Sequence, residues 1–201
     1  MGLDMRPDRL NPVTPGIPGA IRQPQLGRES VALRSIGRRA FSRPKRRAAR
    51  ALSCQVLSGL LADSMTLYGE YKRFDSLPAD EAPFGLQGFL DRQASEQLEL
   101  MDLIVERVGL LGGVAPVPRE VAGLTAISRS PNGVQESAVV LSLLVEAQRV
   151  IMARVRSAIA EVAPSGTDES TVSLLRAVLR LHESQVWSLE EQLADVAARC
   201  A

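Results

Sequence analysis

Histidine, cysteine and aromatic residues are scarce in this chain of 201 residues. One histidine, His182, and two widely separated cysteines, Cys54 and Cys200, exclude zinc ribbons, disulfide scaffolds and metal sites built from several histidines. Aromatic side chains make up 3% of the sequence and hydrophobic residues 45%, which disfavours an aromatic-rich β-sandwich and favours packed helices. We therefore expect an all-α protein.

Long apolar runs are also missing. Charged residues interrupt every stretch before it reaches the roughly 20 residues that a membrane-spanning helix needs. The sequence thus predicts a soluble protein with no membrane partner.

Charge is distributed unevenly, although the whole chain carries a net charge of only +1. Residues 1–50 contain twelve basic and three acidic side chains, whereas residues 51–201 have a net charge of −8. Six of the twelve prolines also lie in residues 1–50. This composition predicts a basic arm over residues 1–50, disordered at least through residue 30, followed by a folded acidic domain over residues 51–201.

The basic residues in the second half of this arm suit the phosphate backbone of DNA. Phe41 is the only aromatic residue interleaved among them, so we expect binding without readout of base sequence. The candidate DNA-binding residues are Arg34, Arg38, Arg39, Arg43, Lys45, Arg46, Arg47 and Arg50. An alternative is that the arm docks on the acidic body of its own or a neighbouring subunit.

The pair Arg38-Arg39 also resembles a twin-arginine export signal. Further basic residues follow this pair, and the next apolar stretch contains Gln55 and Asp63, both of which argue against export. The sequence therefore favours a cytoplasmic location.

Helical periodicity predicts four long helices, over residues 52–74, 84–111, 140–159 and 167–193. Gly112-Gly113 ends the second helix and Pro164-Ser165-Gly166 ends the third. The link between these two helices is long and contains a short helical segment over residues 119–127. A ferritin-like four-helix bundle with one long crossover connection requires such a link, although an unrelated four-helix module also fits.

Carboxylates gather on the second predicted helix, where Asp102 and Glu106 are one turn apart. The buried stripe of this helix is predicted to be Leu98, Met101, Val105 and Val108. Asp102 lies about 80° from the centre of that stripe, at its margin. The simplest interpretation is a solvated face partly paired with Arg92 or Arg107, and the alternative is metal ligation.

Several short motifs together resemble the Dps family, the dodecameric mini-ferritins that protect DNA in starved bacteria. The motifs are Leu60-Leu61-Ala62-Asp63, Leu67-Tyr68, Asp102-x-x-x-Glu106-Arg107, Leu110-Leu111-Gly112-Gly113, Asp168-x-x-Thr171, His182-Glu183 and Trp187-x-Leu189. The resemblance covers residues 52–195. It implies a ferritin-like bundle, a homo-oligomeric shell with dodecamer stoichiometry, a nucleoid-associated location, DNA binding by a basic extension, and iron as cargo.

The resemblance also implies a metal site between two subunits. In that family two histidines come from one chain, and the Asp and Glu of Asp-x-x-x-Glu-Arg come from its neighbour. Asp75 and Gln87 fall at the two histidine positions, Asp91 falls where some members have an additional acid, and Asp102 and Glu106 fall on the retained acids. Loss of both imidazoles leaves oxygen ligands suited to Fe²⁺ or to another divalent cation such as Mn²⁺, Mg²⁺ or Ca²⁺.

Two functions follow from this pattern. The chain is either an iron-storage protein with ferroxidase activity for oxidative-stress protection, or a DNA-binding nucleoid-architectural protein that has lost ferroxidase activity and kept the shell. Asp75 and Gln87 favour the second function. His182 is predicted to be a hydrogen-bonded core histidine, and Trp187 is predicted to serve packing.

Overall fold

The computed structural model describes residues 43–75, 85–131, 133 and 136–200. Its helices are α1 (Arg43–Asp75), α2 (Leu86–Leu110), α3 (Pro118–Leu124), α4 (Ser137–Val162) and α5 (Glu169–Cys200). A short 3₁₀ turn, Ala163–Ser165, joins α4 to α5. The predicted all-α bundle of four long helices, with a short helix in the long link, is confirmed.

Side-chain contacts between the long helices fix their directions. Lys72 on α1 reaches Asp91 on α2, and Arg149 and Arg156 on α4 reach Glu190 and Glu183 on α5. Between α4 and α5 the residue numbers rise in one helix as they fall in the other. Cys54, near the start of α1, lies beside Gly113, just after α2, so both pairs are antiparallel. Helix α1 is also antiparallel to α4, since Asp63 contacts Arg154 and Tyr71 contacts Gln148. Helices α2 and α4 therefore run in the same direction, and the chain between them must return along the bundle, which explains the long connection over residues 111–136.

Buried carboxylates of α1 hold that crossover connection in place. Asp63, with no exposed surface, accepts hydrogen bonds from the backbone N–H of Ala126 at 2.6 Å and the hydroxyl of Thr125 at 2.9 Å. Arg154 of α4 completes the contact at 2.6 Å from Asp63. Two turns along α1, Glu70 pairs with Arg73, which donates a hydrogen bond to the carbonyl of Pro131. The crossover is thus fixed at two points.

Helix α1 begins at Arg43, so the prediction of a start at residue 52 is wrong. Pro44 occupies the first turn, where its fixed φ and missing N–H are tolerated. The alanines and arginines that follow are strong helix formers, and positive charge alone does not prevent a helix. Residues 43–50 are therefore helical, and the predicted disorder through residue 30 lies outside the described residues.

The buried stripe of α2 also differs from the prediction. Leu98 and Val105 are 44% and 43% exposed, and the residues that face the core are Leu86, Phe89, Leu90, Gln93, Ala94, Gln97, Leu100, Ile104 and Val108. Two apolar stripes with helical spacing share Val108, and periodicity does not distinguish between them. Gln93 and Gln97 concealed the correct stripe because they are polar residues inside the core.

None of the helices in the described ranges combines the length and hydropathy needed to cross a bilayer.

Candidate metal and nucleic-acid sites

Asp102 and Glu106 lie on the outer face of α2. Both are exposed, and each lies about 160° around the helix from the buried stripe. The prediction that Asp102 lies at the margin of the core is therefore wrong, because it was measured from the wrong stripe. One turn of helix brings the two carboxylates together, and both face away from the bundle.

Apolar side chains share this outer face. Leu98 and Val105 lie on the same side of α2 as Asp102 and remain more than two-fifths exposed in the single chain. Large hydrophobic side chains interleaved with carboxylates are uncommon on a surface that contacts only water. We define the outer face of α2 as Asp91, Leu98, Asp102, Val105 and Glu106.

The remaining predicted metal ligands lie at the other end of α2. Gln87 and Asp91 are one turn apart near its start, and Asp75 is the last residue of α1. Asp91 and Asp102 are eleven residues apart, a separation of about 16 Å along the helix. Within one chain Gln87 therefore lies close to Asp91, and Asp102 lies close to Glu106. The first pair is far from the second.

No group of three potential metal-ligating His, Cys, Asp or Glu side chains converges within the part of the chain that the structure describes.

Sequence reasoning missed Lys72, which changes the electrostatics of this region. Its ammonium nitrogen lies 2.8 Å from Oδ1 of Asp91, and both side chains are about half exposed. Asp91 therefore has a cationic partner within its own chain. Its position one turn before Asp75 was the available signal, but the pairing depends on how α1 and α2 pack.

Arg107 does not pair with the carboxylates of α2, contrary to that part of the prediction. Its guanidinium bonds to Asp168 and, at 2.9 Å, to the hydroxyl of Thr171. Asp168 precedes α5 and accepts the backbone N–H of Thr171 at 3.1 Å, which caps the helix. Burial alone would raise the pKa of Asp168, but the hydrogen bonds from the hydroxyl and the backbone N–H of Thr171 and the charge of Arg107 outweigh it and lower that pKa.

The first two turns of α1 carry the described part of the predicted DNA-binding set. The side chains of Lys45, Arg46, Arg47 and Arg50 are exposed, and Arg43 is the first residue of the helix. Arg34, Arg38 and Arg39 lie outside the described residues. Arg46 and Arg50 line a pocket of about 320 Å³ at the end of the bundle, together with Arg107, Thr167 and Asp168. Three guanidinium groups thus border one concave surface, where only Asp168 is acidic.

His182 is a buried, hydrogen-bonded histidine in the core of the bundle, which confirms the prediction for it. His182 has no exposed surface and its Nδ1 bonds to Gln148, while Gln148 also bonds to Tyr71 at 2.7 Å and to Gln185 at 2.8 Å. Burial lowers the pKa of His182 to about 4 and raises that of Tyr71. His182 is therefore neutral at pH 7. Trp187, by contrast, is 61% exposed in the single chain, and its packing role stays a prediction.

Comparison with known proteins agrees with this architecture. The family described as the ferritin-like domain matches residues 54–198. The structure of DpsC from Streptomyces coelicolor is similar, with 40% sequence identity and a TM-score of 0.67 over 73% of this chain and 86% of that chain. An uncharacterized protein from the bpoA2 5' region of Kitasatospora aureofaciens is 41% identical over 119 residues, or 59% of this chain and 79% of that protein.

A more distant likeness supports the fold alone. The Dps protein from Vibrio cholerae O1, described as a member of a broad superfamily of ferritin-like diiron-carboxylate proteins, has 18% identity and a TM-score of 0.67. The likeness covers 73% of this chain and 92% of that chain. The bundle, its crossover and its helix order are thus shared well beyond the range of sequence similarity.

Proposed function

The chain belongs to the ferritin-like family and, within it, to the Dps proteins; from this premise we propose that it forms a hollow homo-oligomeric shell that stores iron and binds DNA. The shell has dodecamer stoichiometry and acts in the cytoplasm at the nucleoid. The observation that carries the proposal is the outer face of α2, which presents Asp102 and Glu106 beside exposed Leu98 and Val105.

Assembly explains why these residues share one face. A second chain packed on the outer face of α2 would bury Leu98 and Val105 and would bring its own Gln87 and Asp91 toward Asp102 and Glu106. The separation of about 16 Å between the two halves within one chain makes this pairing necessary for any shared cation. A shell also agrees with the relative from Bacteroides fragilis, whose structure is described as a dodecameric thioferritin, at 21% identity.

Iron is the cargo in this proposal, and the ligands available for it are oxygen atoms. Carboxylates suit Fe²⁺ and other hard divalent cations, whereas the neutral amide of Gln87 binds more weakly than an imidazole. Lys72 competes with a cation for Asp91 because the two are already paired at 2.8 Å. We therefore expect entry of iron at Asp102 and Glu106, with slow oxidation.

The test is an anaerobic titration of the assembled protein with Fe²⁺ followed by addition of peroxide, monitored by absorbance and by the iron retained per shell. Asp102→Asn with Glu106→Gln should reduce both the bound Fe²⁺ and the retained iron. Glu191→Gln is the control, because Glu191 is an exposed carboxylate on α5, away from the outer face of α2. Equal iron retention in all three proteins would contradict the proposed entry site.

A second candidate function is nucleoid architecture without ferroxidase activity. It is favoured by Asp75 and Gln87 in place of imidazoles and by the Lys72–Asp91 ion pair. Asp75→His with Gln87→His should raise the rate of Fe²⁺ oxidation if this function is correct and the parent is inactive. If the parent already oxidises iron as fast as this variant, the second function is wrong.

A further inference from the structure

Uncharged polar side chains from all four long helices meet in the middle of the bundle. They are Tyr71 from α1, Gln93 and Gln97 from α2, Gln148 from α4, and His182 and Gln185 from α5, and none is more than 4% exposed. We call this set the polar layer. It occupies the bundle core, which in other ferritin-like proteins carries inward-facing glutamates and histidines as metal ligands.

The donor and the acceptor of each hydrogen bond in the polar layer are fixed by a chain of bonds that starts at Glu96. Glu96 is a carboxylate and accepts only, so the contact of 3.0 Å with Gln185 is donated by the amide nitrogen of Gln185. The carbonyl oxygen of Gln185 then accepts from the amide nitrogen of Gln148 at 2.8 Å. The second hydrogen on that nitrogen is donated to the hydroxyl of Tyr71.

This direction determines the tautomer of His182. Because both hydrogens of the Gln148 amide are used, the remaining atom, Oε1, can only accept, and Nδ1 of His182 must donate to it. The imidazole is neutral, so its other nitrogen, Nε2, carries a lone pair and no hydrogen. Nε2 is therefore an acceptor.

Several atoms of the layer have no hydrogen-bonding partner among the described residues. They are Nε2 of His182, both amide atoms of Gln97, and Oε1 of Gln93. Gln93, Gln97 and His182 each lie within one helical turn of the Glu96–Gln185 bond, so the unpartnered atoms share one level of the bundle. Buried polar groups are rarely left without a partner, because each then loses its hydration without replacement.

We propose that the polar layer is a binding site for a small uncharged hydrogen-bonding molecule, with water as the resident ligand, that donates a hydrogen bond to Nε2 of His182. The same molecule, or a second one beside it, accepts from the amide nitrogen of Gln97. A water molecule supplies both roles and normally makes about three hydrogen bonds in such a position. The site is thus a hydration site in the middle of the subunit.

Charge explains why a cation is not the ligand. The unpartnered groups are two amides and a neutral imidazole, and none of them can neutralise a buried positive charge. Glu96, the nearest carboxylate in the chain of hydrogen bonds, is already an acceptor for Gln185. The layer therefore excludes the metal chemistry that carboxylates at this level would support.

Nitrogen NMR of the assembled protein tests the proposal, since the single histidine of the chain gives a single imidazole spectrum. We expect Nδ1 to be protonated and Nε2 to be unprotonated, with the Nε2 resonance shifted by an accepted hydrogen bond. In Gln97→Leu that shift should decrease while the tautomer stays the same. In Glu96→Gln the fixed direction is lost, and both tautomers should appear.

A crystal structure of the parent at a resolution that shows ordered water gives the second readout. Density for water bonded to Nε2 of His182 and to Gln97 is expected. The proposal is overturned by a protonated Nε2, by a direct bond from Gln97 to Nε2, or by an Nε2 resonance that moves on addition of Zn²⁺ or Fe²⁺. If Gln97→Leu fails to assemble, the tautomer, the water density and the metal response of the parent still decide the matter.

Discussion

His182 shows how one buried residue sets the response of the molecule to acid. Its pKa is about 4 in the folded chain and near 6.5 when exposed, so between these values the unfolded chain binds more protons. Stability therefore rises with pH through this window and is lost as pH falls from 6.5 toward 4. The loss is about 1.4 kcal/mol for each pH unit.

This slope is tested by thermal unfolding at pH 7 and at pH 5, at one fixed chain concentration. The Tm of the parent should fall more between these two values than the Tm of His182→Gln, in which no group titrates at this position. The titratable groups connected to His182 are Tyr71, through Gln148, and Glu96, through Gln148 and Gln185, and both residues are present in the parent and in the variant. Identical shifts in Tm would mean that His182 is already charged or exposed in the folded protein.

For single residues, the sequence predicts whether a side chain is buried better than it predicts the side chain to which it bonds. The spacing of α5 places His182 on the buried face, and the structure confirms it. The partners Gln148 and Lys72 come from other helices and Asp168 comes from the residue before α5, so their positions depend on the register between helices. Arg107 illustrates the limit, because all five carboxylates of its own helix are nearer in sequence than Asp168 is.

At the scale of secondary structure elements, the crossover connection depends on Asp63. Removing this buried carboxylate leaves the backbone N–H of Ala126 without its acceptor and the guanidinium of Arg154 without its ionic partner, with only the carbonyls of Gly59 and Leu124 still accepting from it. We expect Asp63→Ala to reduce the free energy of unfolding by about 3 kcal/mol. Glu190→Ala, which breaks an exposed ion pair with Arg149, should cost less than about 1 kcal/mol.

Hydrogen exchange distinguishes a local effect from a general one. Amides of residues 118–130 should lose protection in Asp63→Ala more than amides of α5 do. A uniform loss of protection over all helices would contradict the view that Asp63 anchors the crossover.

The second prediction at this scale concerns DNA binding by the basic residues at the start of α1. Arg46→Gln, Arg47→Gln and Arg50→Gln together should weaken binding to linear duplex DNA and flatten its dependence on salt, because fewer counterions are released. The control replaces three exposed arginines elsewhere, Arg119, Arg176 and Arg180, with glutamine. If the two triple variants bind DNA equally, the helical part of the basic segment does not contact the phosphates.

Helix boundaries and faces show what periodicity can and cannot supply. All four long helices are predicted, since each has many apolar residues at helical spacing. The start of α1 is missed because the basic segment has no apolar pattern, although its arginines and alanines favour a helix. The buried face of α2 is missed because the helix has two apolar faces, and only packing against α1 and α5 decides between them.

At the scale of the whole molecule, the exposed hydrophobic residues predict assembly. Leu98→Glu with Val105→Glu would place two charges on the outer face of α2, where a neighbouring chain would have to bury them. Native mass spectrometry should show a large closed oligomer for the parent and smaller species for this variant. Ser142→Glu, at an exposed polar position of α4, is the control and should retain the large oligomer.

The contact between Asp63 and Arg154 also has a consequence for folding kinetics. It joins residues 91 positions apart, whereas Lys72 and Asp91 are only 19 apart. Closing the longer loop costs about 1.4 kcal/mol more in chain entropy. The hairpins α1–α2 and α4–α5 should therefore form first and dock afterwards, with the Asp63 contact absent from the transition state. In stopped-flow experiments Asp63→Ala should accelerate unfolding and leave the folding rate nearly unchanged, whereas slower folding would place the crossover in the folding nucleus.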